Sequence, residues 1–164
     1  MTEPTFKIKA DQESSSYGRF TIEPLEQGYG QTLGNSIRRV LLTSLPGSAI
    51  TSIAIEGVKH QFSTVPGLKE DVNEFILNIK KIRLVVQGDE VVTLSLTKTG
   101  PGEITAGDIE VPAGVTISNP ELVLGTLADK KATLSMQMTA QRGYGYNPVD
   151  EKHDGAIGTI PVDA

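Results

Sequence analysis

Three glycines near residue 30 are the first candidates for binding chemistry. Gly28, Gly30 and Gly34 follow a strand-like segment and open an amphipathic one. The backbone N–H groups of a helix N-terminus favour anions, so this context suits a phosphate. The spacing G-x-G-x-x-x-G matches neither the dinucleotide fingerprint nor a Walker loop with its lysine and hydroxyl residue. We interpret the glycines as a backbone turn into a helix, and keep phosphate or nucleotide binding as the alternative.

The histidines are weak candidates for a metal or hydrolytic site. His60 and His153 lie far apart, and neither has a second histidine or a carboxylate at zinc-ligand spacing. His60, Ser63 and Asp71 have the residue types of a nucleophilic triad, but no nucleophile-elbow motif accompanies them. The chain has no cysteine, which excludes disulfides, thiolate ligands and cysteine nucleophiles. The sequence therefore predicts no catalytic residue, metal or cofactor.

Residues 141–146, which read QRGYGY, combine arginine, glycine and tyrosine as single-strand nucleic-acid binders do. The whole chain has a formal net charge of -5, however, and phosphate binding needs a basic surface. We therefore expect no direct DNA contact and predict a polar loop over residues 141–157. A nucleic-acid-binding module that uses residues 141–146 is kept as a third hypothesis for the function.

Two adjacent arginines, Arg38 and Arg39, lie in a predicted helix over residues 31–45. The same segment has more apolar circumference than one core-facing stripe needs. We expect two packing surfaces, one for the chain's own sheet and one for another chain. Arginine is a common interface anchor. The apolar residues are Leu33, Ile37, Val40, Leu41, Leu42 and Leu45.

Short strands and two helices must position these residues. Alternating apolar and polar residues predict a hairpin and several later strands. Apolar residues at i, i+3, i+4 and i+7 predict a second helix over residues 68–81. Pro46 and Gly47 are expected to end the first helix. The predicted fold is α+β, mostly antiparallel sheet with two main helices, in lobes 1–47 and 48–164. The predicted strands include residues 6–10, 19–25, 53–55, 92–97 and 132–140.

The N-terminus, MTEPTFKIKA, lacks the apolar region of a signal peptide. No apolar run approaches the roughly 20 residues of a membrane-spanning helix. We therefore predict a cytoplasmic protein without a membrane partner.

Residues 20–50, with the block TLGNSIRRVLL, resemble the N-terminal domain of the bacterial-type or plastid-type RNA polymerase alpha subunit. The resemblance continues through residues 55–82 and returns at 140–146 and 160–164. It implies a non-catalytic assembly subunit of DNA-directed RNA polymerase, a homodimer scaffold on which the beta and beta-prime subunits assemble. It also implies a cytoplasmic, nucleoid-associated complex, or a plastid one.

The resemblance implies a role for individual residues. Arg38, Arg39 and Leu42 would contact beta, and the remaining apolar residues of the first helix would serve the dimer. The beta-prime surface would include Lys80, Val162 and Asp163. Family chains continue past the Val-Asp-Ala motif and return to the first lobe. The resemblance therefore implies that the dimerisation lobe is incomplete in this chain and that the second lobe is inserted into it.

Overall fold

The computed structural model describes residues 6–14, 17–149 and 158–164. The chain divides into two compact units, Met1–Ser44 and Leu45–Ala164. The sequence placed the boundary between residues 47 and 48. It lies earlier because Pro46 already begins a strand of the second unit's central sheet.

The first unit consists of a hairpin and one helix. Strands β1 (Lys7–Glu13) and β2 (Gly18–Glu23) pair antiparallel, with a bulge between Ala10 and Gln12. Helix α1 spans Tyr29–Thr43. It begins two residues before the predicted start. It ends where the Ser44 amide donates to the Val40 carbonyl at 2.9 Å.

The second unit is built around a five-stranded sheet with strand order β11-β3-β10-β5-β7, in which all neighbouring strands are antiparallel. Strands β4 and β8, and strands β6 and β9, form two small antiparallel sheets. Helix α2 spans Val72–Ile79. The strands are β3 (Pro46–Ile55), β4 (Leu84–Val86), β5 (Val92–Thr99), β6 (Gly102–Thr105), β7 (Ile109–Glu110), β8 (Val115–Ile117), β9 (Val123–Leu127), β10 (Thr133–Tyr144) and β11 (Thr159–Pro161).

The core of the second unit, over its described residues, is aliphatic apart from Phe75, Met136 and Met138. Alternate residues of β10 are buried while their neighbours face the other side of the sheet, because successive strand residues point to opposite faces. Helix α2 buries Val72, Phe75 and Ile79, the stripe that the helical periodicity predicted. The predicted fold class, mostly antiparallel sheet with two helices, is confirmed.

The predicted start of the second helix and the predicted loop over residues 141–157 were also wrong. Helix α2 starts at Val72, because the Asp71 carboxylate accepts a hydrogen bond from the Glu74 amide at 2.7 Å and caps the helix. Leu68, predicted to be helical, instead forms a β-bridge with Leu127. Residues 141–144 were predicted as loop but are strand, because they pair with the first residues of β3 up to Tyr144 opposite Pro46.

One carboxylate of this unit makes its stability depend on pH. Asp108 accepts from Lys98 Nζ at 2.5 Å and from the Thr105 amide at 2.8 Å. Lys98 and then Thr105 hold the pKa of Asp108 below its ordinary value of 3.8. The ionised carboxylate therefore stabilises the fold above that pH, and the contribution is lost as pH falls through the folded pKa.

We accordingly expect Asp108→Asn to lower the urea midpoint at pH 7, and by clearly less at pH 3. Asp89→Asn is the control, since the Asp89 side chain is 92% exposed and its nearest arginine nitrogen is 3.8 Å away. An equal loss at both pH values for Asp108→Asn would show that the ionised form contributes nothing.

Candidate protein-interaction surfaces

Helix α1 has no buried side chain. Arg38 and Arg39 are both exposed and form no ion pair with any carboxylate in the described ranges. Leu42 is 62% exposed, and the neighbouring aliphatic residues are similarly open. The expected packing of one face on the chain's own hairpin is therefore not met. Contiguous exposed apolar surface of this kind marks an interaction site.

The helical geometry separates two sets of residues on α1. At about 100° per residue, Leu33, Ile37 and Val40 fall within roughly 60° of one another. Arg38 and Leu42 lie on a neighbouring face about 40° apart. Arg39 lies about 60° beyond Leu42, so the residues assigned to beta span about 100° of the helix. The two sets thus occupy different faces. Leu41 lies between them, and Leu45, predicted to be helical, lies beyond the end of α1.

Only one of the three glycines lies in a turn. Gly28 has φ 90° and is the N-cap of α1, a left-handed conformation that favours glycine. Gly30 and Gly34 lie inside α1, so the prediction of a turn at these two positions was wrong. A Cβ at either would meet no atom within 4 Å.

Alanine should therefore stabilise α1 at the two helical glycines. We expect Gly30→Ala and Gly34→Ala each to raise the free energy of unfolding by about 0.5–1 kcal/mol, because alanine loses less backbone entropy in a helix. Gly28→Ala should lower it, because of the positive φ. Circular dichroism melts of the three variants test this. A loss of stability at Gly34 would reveal a close neighbour.

The residues assigned to beta-prime lie together in the second unit. Lys80 Nζ is 2.7 Å from Asp163 Oδ1, and the Tyr146 hydroxyl donates to Asp163 Oδ2 at 3.2 Å. Lys80, chiefly through its hydrogen bond, lowers the pKa of Asp163. Val162 is buried, and its amide donates to the Thr51 carbonyl at 2.8 Å. Residues 83 positions apart in sequence thus meet at one surface.

Tyr146 was missed as part of this surface, because residues 141–157 were interpreted as a polar loop that contacts solvent or a protein. The adjacent Asn147 exchanges two backbone hydrogen bonds with Ala164, at 2.6 and 3.1 Å. These bonds and the Tyr146 hydroxyl fasten residues 162–164 to the end of β10. A protein-facing role fits this segment better than base stacking.

A groove of about 740 Å³ lies beside the Lys80–Asp163 pair. One wall is residues 59–62, the second is the exposed side of α2, and the third is residues 159–163. Phe62 and Leu77 line it with their side chains 75% and 58% exposed.

The described residues form neither the hydrolytic site nor the metal site considered from the sequence. Ser63 Oγ lies 3.2 Å from His60 Nδ1, but the Asp71 carboxylate caps α2, so no triad forms. His153 lies outside the described residues. Within residues 6–14, 17–149 and 158–164, no group of three histidines and carboxylates is placed to hold a metal. In the same ranges no helix is long and apolar enough to cross a membrane.

Comparison with known proteins identifies one family. Residues 53–164 match the family described as RNA polymerase Rpb3/RpoA insert domain. The chain is 52% identical over 158 residues to a DNA-directed RNA polymerase subunit alpha of a Roseiflexus species, covering 96% of this chain and 49% of that protein. It is 54% identical over 160 residues to the DNA-directed RNA polymerase subunit alpha of Carboxydothermus hydrogenoformans, covering 96% of this chain and 51% of that protein.

A third relative, the DNA-directed RNA polymerase subunit alpha of Symbiobacterium thermophilum, is 50% identical over 166 residues, covering 100% of this chain and 52% of that protein. The chain therefore spans about half the length of the curated relatives it matches. These similarities give no support to a phosphate- or nucleotide-binding role for the glycines near residue 30.

Proposed function

The chain belongs to the RNA polymerase Rpb3/RpoA insert-domain family, and on that premise we propose that it acts as a non-catalytic assembly subunit of DNA-directed RNA polymerase. Helix α1 is the observation that carries the proposal. It presents two arginines and several aliphatic side chains, yet buries none of them. A surface of this composition suits binding to other subunits and offers no group arranged for chemistry.

The two faces of α1 suit two partners. We assign Leu33, Ile37 and Val40 to a second copy of this chain, because an apolar stripe at this spacing packs well on its own symmetry mate. We assign Arg38, Arg39 and Leu42 to the beta subunit, because arginine flanked by apolar groups makes a strong interface anchor. Leu41 and Leu45 extend the apolar surface beside the dimer face.

The second unit would meet beta-prime at the surface around Lys80, Val162 and Asp163. The support is that chain segments distant in sequence converge there and leave an open groove with apolar walls. The complex would work in the cytoplasm, bound to the nucleoid through the polymerase as a whole.

Co-expression with both large subunits tests the proposal. An affinity-tagged chain should co-purify with beta and beta-prime in a fixed ratio. The same tagged chain with Leu42→Asp should no longer co-purify with beta, because an unpaired carboxylate is costly to bury in an apolar interface. A folded wild-type chain that captures neither subunit contradicts the proposed function.

We also expect the 164 residues alone to form a weak, concentration-dependent oligomer or to be poorly soluble. Each of the exposed aliphatic side chains of α1 would gain about 1.5–3 kcal/mol if it were fully buried. Supplying the segment that follows the Val-Asp-Ala motif in family members should convert this into a stable dimer. Sedimentation equilibrium on both preparations measures it, and a clean, soluble monomer at high concentration would contradict it.

A further inference from the structure

The side chains assigned to beta-prime are not the ones most available to a partner. Val162 is only 6% exposed. Lys80 Nζ and Asp163 Oδ1 form an ion pair at 2.7 Å, and the two side chains are 31% and 39% exposed. A partner would have to break or share this pair to use it, and an exposed pair contributes little by itself. The pair ties residue 163 to α2 and so fixes one wall of the groove.

Phe62 and Leu77 are the most exposed apolar residues that line that groove. Phe62 is the more exposed of the two at 75%, and Leu77 is 58% exposed on α2. Ile76, half-buried beside them, packs against the core. Aromatic side chains dominate interface energetics because they bury a large area. An exposed aromatic and an exposed leucine facing one groove are the type of apolar site that a partner's side chain fills.

The charges of the groove indicate what accompanies that side chain. Lys80 and Asp163 cancel each other, which leaves Lys59 on the rim. In the part of the chain that the structure describes, Lys59 forms no ion pair. A carboxylate of a bound partner would complement it.

We propose that this groove seats an apolar side chain of the beta-prime subunit, next to one of its acidic residues. Phe62 and Leu77 are the anchors, Lys59 meets the carboxylate, and Lys80 and Asp163 hold the groove wall as positioning residues. The inference rests on the proposed function and names where beta-prime gains its affinity.

Removing each anchor tests the groove in complexes assembled from the whole chain with both large subunits. Phe62→Ser and Leu77→Ser should each weaken beta-prime binding at least tenfold and leave beta binding unchanged. Val91→Ser is the matched control, because Val91 is 60% exposed and lies outside the groove. Melting curves establish that each variant is folded. Folded variants that bind beta-prime like wild type overturn the proposal.

A photo-crosslinking residue in place of Phe62 gives a second readout, one that does not depend on removing an anchor. It should form an adduct with beta-prime, whereas the same residue in place of Val91 should not. An adduct with beta, with a second copy of this chain, or with neither large subunit overturns the groove assignment alone. A wild-type chain that binds no beta-prime overturns the proposed function and the occupant together.

Exchanging the charges of Lys80 and Asp163 tests whether the pair only holds the groove wall or contacts beta-prime directly. Lys80→Asp and Asp163→Lys should each weaken beta-prime binding, and the double variant should restore it by rebuilding the pair in reverse. Failure of the double variant to recover would show that one of these charges touches beta-prime directly, which overturns their positioning role.

Discussion

Alanine at position 67 is expected to destabilise the second unit by about 2–4 kcal/mol, since strain from a positive φ adds to overpacking. Gly67 has φ 84°, and a Cβ there would overlap the Ala132 Cβ. The Gly67 carbonyl also accepts from the Ala128 amide at 2.8 Å, so the backbone cannot move away without losing that bond. Urea denaturation at pH 7 measures the loss.

Gly57→Ala is the matched control. Gly57 has φ 80°, close to that of Gly67, but nothing lies within 4 Å of its added Cβ. We expect a cost of about 1 kcal/mol there, from the backbone alone. Equal costs at the two positions would show that Ala132 gives way without penalty.

The second large effect concerns Arg39. Arg39→Ala should leave the fold intact and weaken binding of the beta subunit by about 2 kcal/mol or more, which is roughly thirtyfold in affinity. We expect the fold to be intact because substituting an exposed residue of an unburied helix changes the free energy of unfolding by no more than about 0.5 kcal/mol. We expect binding to weaken because arginine is a common interface anchor. Titration of immobilised chain with beta gives the affinity, and a thermal melt establishes the fold.

Arg83→Ala provides the comparison for Arg39. Arg83 is also exposed, and its backbone amide, not its guanidinium, donates a hydrogen bond to Asn119 Oδ1 at 2.8 Å. We expect no change in beta binding for that variant. Unchanged beta binding in Arg39→Ala would remove Arg39 from the interface.

Periodicity predicted the elements that are long and one-sided. The hairpin, α1, the core stripe of α2 and the alternation of β5 and β10 could all be read from the sequence, because apolar residues recur in each at a fixed spacing. The strands β4, β6, β7 and β8 have two to four residues, too few for alternation to show. The extension of β10 to Tyr144 depends on its pairing with Pro46 and Gly47, which no local pattern encodes.

Some features of the candidate surfaces could also be predicted from the sequence, and others depend on the fold. The surplus of aliphatic residues on α1 predicted one surface open to another chain, whereas the exposure of its other face was not predicted. The hydrogen bond of Tyr146 to Asp163, and the special demand on Gly67 beside Ala132, depend on residues brought together by the fold. The roles of Arg38, Arg39, Leu42, Lys80, Val162 and Asp163 in binding stay predictions for the experiments above.

The position of β3 between two strands that follow it late in the sequence has a consequence for synthesis of the chain. Its neighbours are β10 and β11, and Ser52 Oγ meets Thr139 Oγ1 at 2.6 Å across 87 residues. At about 5–20 residues per second, a ribosome needs roughly 4–17 seconds to make that distance. Until then β3 has a backbone without partners and exposes Ile50, Ile53 and Ile55. Pairing of such high sequence separation is slow, so we expect this unit to be most prone to aggregation while it is still being translated.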